Sequence, residues 1–257
     1  MPDSSQKNLL LVEDDEFMRQ SVPDYLTAEG FHILLEGDAT SALAAAREHH
    51  PEVVIVDLVI PLDGASGQSR RHAKYGLQLV KQLKEMTPAP GVVVFSAHEE
   101  HGKEILQFVS QGVRGIAYIL KGQPAGDLLH AIRSALAGEV HFAPEVRINT
   151  RTPAEAFLEL CTLSEERPWI TSGLARFEAL TARELEIARL LAASQTTPAV
   201  AKTLCIELKT AEAHIRNIYA KLGLDAMDEQ APHLNARSLF VKICSLYELQ
   251  HNHPEQL

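Results

Sequence analysis

The chain has 257 residues, 46% of them hydrophobic and 23% charged, and a formal net charge of −10. This suits two domains, or one large one, with well-filled cores and argues against a general polyanion binder. No apolar run approaches the ~18 residues of a membrane span. Residues Met1 to Asn8 are polar and lack the apolar stretch of a signal peptide. Cys161, Cys205 and Cys244 are odd in number and far apart, so they read as reduced core thiols rather than a disulfide framework or a metal site. The expectation is a cytoplasmic protein with no membrane partner.

In the N-terminal half, apolar runs of strand length alternate with helical patterns. The runs are Leu9–Val12, Phe31–Leu35, Val53–Leu58, Val92–Phe95 and Ile116–Leu120. Short β-branched runs of this kind suit a parallel sheet covered on both faces. Between them, Ser41–Glu48 is alanine-rich, and Leu77, Val80 and Leu83 recur at helical spacing. So do Ile105, Phe108 and Val109, and Leu128, Leu129, Ile132 and Leu136. Gly30 reads as a stop for the first helix. Pro23, inside that helix, removes a hydrogen bond to Arg19 and should bend it. The pattern predicts a doubly wound α/β domain over residues 1–140, whose site lies at the carboxyl ends of the strands.

The residues at those ends are Glu13, Asp14 and Asp15 after the first run, Asp57 in the third, Ser96 after the fourth and Lys121 after the fifth. Crowded carboxylates repel one another unless a cation neutralises them, and an all-oxygen set with room for water and a phosphoryl group suits Mg²⁺. Asp57 is then a nucleophile for a phosphoryl group, Lys121 a second positive charge and Ser96 a hydroxyl donor to a phosphoryl oxygen.

The strings LLVEDDEFMR, VIVDL around Asp57, VVVFSA around Ser96 and GIAYILK ending at Lys121 resemble response-regulator receiver domains over roughly residues 7–140. The resemblance implies a flavodoxin-like fold and a phosphorylation site at Asp57. It also implies a metal site of Glu13, Asp14, Asp57 and the Val59 backbone carbonyl, with Asp14 the closer ligand and Asp15 not touching the metal. Tyr118 takes the family's aromatic switch position. The stretch DGASGQSRRHAKY, residues 63–75, departs from the family as an insertion of roughly ten residues in a βα loop. Arg70, Arg71, His72 and Lys74 make it basic; it reads either as a lid or kinase-contact element, or as a solvated loop. His98 and Gly122 also depart from the usual pattern.

Residues 141–178 read as a linker. Thr152-Pro153-Ala154-Glu155 is a capping-box start with proline at the first helical position, opening a short amphipathic helix through about Leu163. Pro168-Trp169-Ile170 reads as an extended anchored stretch. Residues 179–257 form an all-α domain. One helix starts near Thr181, a second is capped at Thr197 before Pro198, and a third runs from about Lys209 to Leu222, closed by Gly223. Ala211, Ile215, Ile218 and Leu222 form the third helix's buried stripe. A short helix, a tight turn at Cys205–Leu208 and a longer helix have helix-turn-helix spacing. From Leu174 to Leu224, seven basic side chains face five glutamates, a balance of +2, so affinity for DNA must come from placed contacts and dimerisation.

The string LTARELEIARLLA...VAKTLCIELKTAEAHIRNIYAKLGL resembles the LuxR/NarL-type DNA-binding domain over about residues 179–224. That resemblance implies a fourth, dimerising helix around Ala236–Leu249, with residues 225–234 inserted before it. It places Lys209, Thr210, Glu212, Ala213 and Arg216 on the DNA-facing side. Arg216 would read guanine or hold phosphate; Lys209 and Thr210 would hold phosphates. Glu212 stands where family members often carry a basic residue, and Glu207 where a serine cap is usual. The combined reading is a transcription regulator rather than an enzyme. Its partners would be a histidine kinase and double-stranded DNA, its cofactor Mg²⁺, and its activated form a homodimer. A helix-turn-helix that binds a protein partner, and a phosphate sink that drains a kinase, are the competing readings.

Overall fold

The computed structural model describes residues 7–64, 71–161, 165–225, 227, 231 and 233–251. Its first part is a parallel sheet of β1 (Lys7–Val12), β2 (Phe31–Glu36), β3 (Val53–Val56), β4 (Gly91–Ser96), β5 (Ile116–Leu120) and β6 (Val140–Phe142), in the order β2-β1-β3-β4-β5-β6. Five helices wind around it: α1 (Glu16–Ala28), α2 (Ala39–His49), α3 (Ala73–Lys84), α4 (Gly102–Ser110) and α5 (Ala125–Leu136). β3 and β4 are buried along their whole length, which is why their sequences are continuous apolar runs rather than alternating ones. The reversal of strand order beside β1 opens a crevice at the carboxyl edge, between the ends of β1 and β3. Helix α1 continues through Pro23. At its end Gly30 has φ +91° and donates its N–H to Thr27 at 3.0 Å, a backbone conformation that favours glycine. Gly76 has a different role: a Cβ there would stand 2.4 Å from the Leu58 Cα, so its missing side chain lets α3 pack on the end of β3.

The third strand stops at Val56, two residues before the expected Leu58, so Asp57 begins the loop. The sixth strand lies in and just before the stretch read as linker; at three residues it is too short for a periodicity to show. It extends the sheet by pairing in parallel with β5.

After the sheet come α6 (Pro153–Leu160), α7 (Glu166–Ala175), a 3₁₀ turn (Phe177–Ala179), α8 (Ala182–Ala192), α9 (Thr197–Thr203), α10 (Leu208–Leu222) and α11 (Ala236–His251). Capping boxes at Thr152/Glu155 and Thr181/Glu184 start α6 and α8. Helix α6 ends at Leu160; residues 162–164, up to which it was expected to run, lie outside the described residues. Three expectations need correction. Pro168-Trp169-Ile170 is helical, in α7, because a proline in the first turn gives up an N–H that has no intrahelical partner there. The cap of α9 is Thr196, whose hydroxyl accepts the Ala199 N–H, with Thr197 the first helical residue. Cys205 is exposed on the turn between α9 and α10, at φ 52°, while Cys161 and Cys244 are buried.

The two parts are packed together. Helix α6 lies on α4, and α11 contacts β6, α4, α6, α7 and α8. Arg114, in the loop before β5, reaches across this junction. Its guanidinium donates to Glu248 Oε1 at 2.5 Å, Ser245 Oγ at 2.8 Å and the Gly138 carbonyl at 3.2 Å. The other oxygen of Glu248 accepts the Val140 N–H of β6 at 2.8 Å. A helix thereby covers a sheet edge that would otherwise offer unpaired backbone groups.

Candidate functional site

The carboxyl ends of β1, β3 and β5 bring the predicted residues together. Glu13 follows β1 and is almost fully buried; Asp57, also buried, follows β3. Lys121 follows β5 and puts its ammonium between them, 2.6 Å from Glu13 Oε2 and 2.7 Å from Asp57 Oδ2. The Val59 N–H donates to Asp57 Oδ1 at 3.0 Å, which fixes the carboxylate and seats Val59 in the same loop. Oxygens of Glu13, Asp14 and Asp57 lie within 4.8 Å of one another. They open into a cleft of about 400 Å³ lined by Asp14, Asp57, Val59, Arg71, His98 and Lys121 among others. An all-oxygen donor set of this size, with space beside it, fits a small hard cation such as Mg²⁺.

The electrostatics follow from crowding. Burial pushes the Glu13 carboxyl above its ordinary value, against the hydrogen bond from Lys121, and the facing Asp57 adds to the rise. Burial raises Asp14 too, with Arg71 pulling it back. Lys121 is partly desolvated, but its two carboxylate partners hold it charged above the usual lysine value. Asp15 is the N-cap of α1, its carboxylate accepting the Met18 N–H at 3.0 Å.

Ser96 is fully buried and its hydroxyl oxygen accepts the His98 N–H at 3.1 Å. Tyr118 is fully buried as well. Its hydroxyl donates to the His98 carbonyl, and burial pushes its pKa up to about 12. Its ring stacks on Phe142 of β6, with centroids 5.6 Å apart. Ser96, His98, Tyr118 and β6 are therefore one connected set.

Of the insertion, residues 65–70, including Arg70, lie outside the described residues. Its far end is fixed: the His72 N–H donates to the Ile60 carbonyl at 3.1 Å, and Arg71 forms an ion pair with Asp14. The composition of the stretch showed it to be basic; that one arginine meets the acid cluster was not readable from it.

On α10, the side chains of Lys209, Thr210, Glu212, Ala213 and Arg216 are all exposed, while Ala211, Ile218 and Leu222 are buried and Ile215 half-buried. The predicted face is turned to solvent. His214 is half-buried. Glu207 is the N-cap of α10 with no side-chain cap hydrogen bond, which fits a glutamate standing in for a shorter capping residue.

Two family models match this chain. The response regulator receiver domain matches residues 9–133, and the bacterial regulatory proteins of the luxR family match residues 178–230. The chain belongs to the response regulators with a LuxR-type output domain. Response regulator protein VraR of Staphylococcus epidermidis is 29% identical over 216 residues, covering 83% of this chain and 89% of VraR. VraR of Staphylococcus aureus matches to the same extent, at 29% identity over 216 residues. Among solved structures, the two-component response regulator RcsB in its DNA complex aligns at 19% identity and a TM-score of 0.43, covering 93% of this chain and 98% of that one. RcsB of Salmonella typhimurium aligns at 19% identity and a TM-score of 0.42, covering 85% and 92%. This response regulator thus joins a receiver to a LuxR-type DNA-binding domain, the composition of a two-component transcription factor. No helix among the described residues is long and apolar enough to cross a membrane.

Proposed function

We propose that Asp57 accepts a phosphoryl group from a histidine kinase, and that this promotes dimerisation and DNA binding in the cytoplasm. An Asp57 carboxylate oxygen attacks phosphorus as the P–N bond of the kinase's phosphohistidine breaks, and the bonding pair returns to the imidazole nitrogen. Glu13, Asp14, Asp57 and the Val59 carbonyl would hold Mg²⁺, which when bound offsets the charge of the phosphoryl oxygens. Lys121 supplies the fixed positive charge, and the Ser96 hydroxyl turns from His98 to a phosphoryl oxygen. The observation that carries this reading is the Lys121 ammonium shared between Asp57 and Glu13 at an open, acid-rich cleft. Mass spectrometry after incubation with acetyl phosphate and Mg²⁺ tests it. The wild type gains one phosphoryl group and Asp57→Asn gains none; full labelling of the variant would refute the assignment.

We take residues 1–140 as the receiver, 141–178 as the linker and 179–257 as the DNA-binding domain. Lys209, Thr210, Ala213 and Arg216 contact DNA, and Glu212 accepts a hydrogen bond from a cytosine amine. The junction supports a coupling between phosphorylation and dimerisation. Movement of Ser96 pulls on His98, which holds Tyr118, which stacks on Phe142; two residues earlier in β6, Val140 is bonded to Glu248. Helix α11 packs against β6 and α6, and we take that covered face as the one that pairs with a second copy. Loosening β6 releases that surface, and the activated form pairs through α11.

A further inference from the structure

We propose that Arg71 is a built-in counter-cation of the phospho-acceptor site: it competes with the divalent cation for Asp14 and, once displaced, clamps the phosphoryl group. The inference rests on the reading of Asp57 given above and adds a residue to it. Three observations carry it. The Arg71 guanidinium forms an ion pair with Asp14, one of three carboxylates whose oxygens cluster within 4.8 Å. Arg71 lines the same cleft as Asp57 and Lys121, so a guanidinium released from Asp14 is still beside the group that Asp57 would carry. Its backbone is tethered to the strand end that bears Asp57. The adjacent His72 pairs with Ile60 in an antiparallel bridge, and its ring nitrogen caps α3 by accepting the Lys74 N–H at 3.1 Å.

The chemistry favours an arginine in this place. Three carboxylates face one lysine, and a second cation offsets the surplus negative charge. A guanidinium stays charged at every accessible pH, and its planar fork of donors matches two oxygens at once, on a carboxylate or on a phosphoryl group. A hard divalent cation binds the Asp14 oxygen more strongly than an exposed guanidinium does. The arginine therefore weakens cation binding without preventing it. Anchoring of the neighbouring residue lowers the entropy lost when the side chain moves to a new partner. The Arg71 side chain is 58% exposed, so replacing it leaves the core intact.

Calorimetric titration of the full-length protein tests both halves, using Arg71→Gln and Arg71→Lys. With magnesium ion alone, Arg71→Gln should bind about three- to fivefold more tightly than the wild type, the scale of an exposed ion pair, with Arg71→Lys between them. With beryllofluoride as the phosphoryl mimic at saturating Mg²⁺, the order should reverse, Arg71→Gln binding several-fold more weakly. Equal affinities in either titration overturn the proposal. If neither the wild type nor the variants bind Mg²⁺ at all, the phospho-acceptor reading fails first and takes this one with it.

Discussion

Two ion clusters in this chain use the same residue types to opposite ends. At the sheet's carboxyl edge, Glu13, Asp14 and Asp57 face Lys121 and Arg71, so acids outnumber bases, and the cluster opens into a cleft. At the domain junction, Arg114 and Glu248 are matched one to one, with side chains only 4% and 8% exposed. All three Arg114 nitrogens have acceptors, and both Glu248 oxygens have donors. Burial works against the Arg114 charge, and Glu248 more than restores it, leaving the guanidinium above its usual pKa. Surplus charge left open can be offset by a cation, as the proposed phospho-acceptor role requires. Balanced charge, with a partner at each nitrogen and each carboxylate oxygen, fixes how two domains meet.

The sharpest way to break this contrast is Glu248→Ala. It leaves the Arg114 charge buried without its counter-ion and should cost about 3–5 kcal/mol in urea unfolding, while acetyl phosphate still labels Asp57 in the folded fraction. A cost under about 1 kcal/mol would mean that the junction ion pair is solvated and unimportant.

Lys84 sharpens the contrast, because its head is buried and its acceptors among the described residues are two carbonyls, those of Pro90 at 2.8 Å and Gly115 at 3.2 Å. Burial lowers its pKa from 10.5 to about 8. Between those values the unfolded chain holds the proton that the folded chain has released, so this group's contribution to stability rises with pH across that window. The rise should be on the order of 2 kcal/mol. Urea unfolding at pH 7 and pH 10 should show the wild type gaining on Lys84→Met; a constant difference would mean Lys84 keeps its proton.

Of these three variants, Lys121→Met should have the smallest effect on stability and the largest on chemistry. Removing it should cost about 1 kcal/mol, since the cleft is open to water and Mg²⁺ can take over the neutralisation. Binding of beryllofluoride should fall at least tenfold, about 1.4 kcal/mol. Unchanged mimic affinity in a titration would remove Lys121 from the phosphoryl-binding set.

The acid cluster was legible because each member follows an apolar run, and a parallel sheet collects such ends at one edge. The helix-turn-helix was legible from caps and periodicity, with errors of one residue at Thr196 and Leu208. The junction was not. β6 is too short for a pattern, and Pro168 reads as a breaker when only its position in a first turn makes it harmless. The one available signal was Glu248, four residues after Cys244 and eight after Phe240 on a buried helical stripe; a glutamate on such a stripe needs a cationic partner. Nothing local to Arg114 names it as that partner, because 134 residues separate the two. Arg71 escaped for a similar reason: composition gives the sign of a loop's charge, and tertiary structure decides where that charge lands.

In the proposed coupling, charge arriving at the open cluster loosens the closed one. Hydrogen exchange at residues 236–251, with and without beryllofluoride and Mg²⁺ and at a protein concentration low enough to keep the chain monomeric, measures this directly. Exchange in α11 and at the Val140 amide should be faster when the mimic is bound, with no change in Asp57→Asn. Identical exchange in α11 with the mimic demonstrably bound would contradict it.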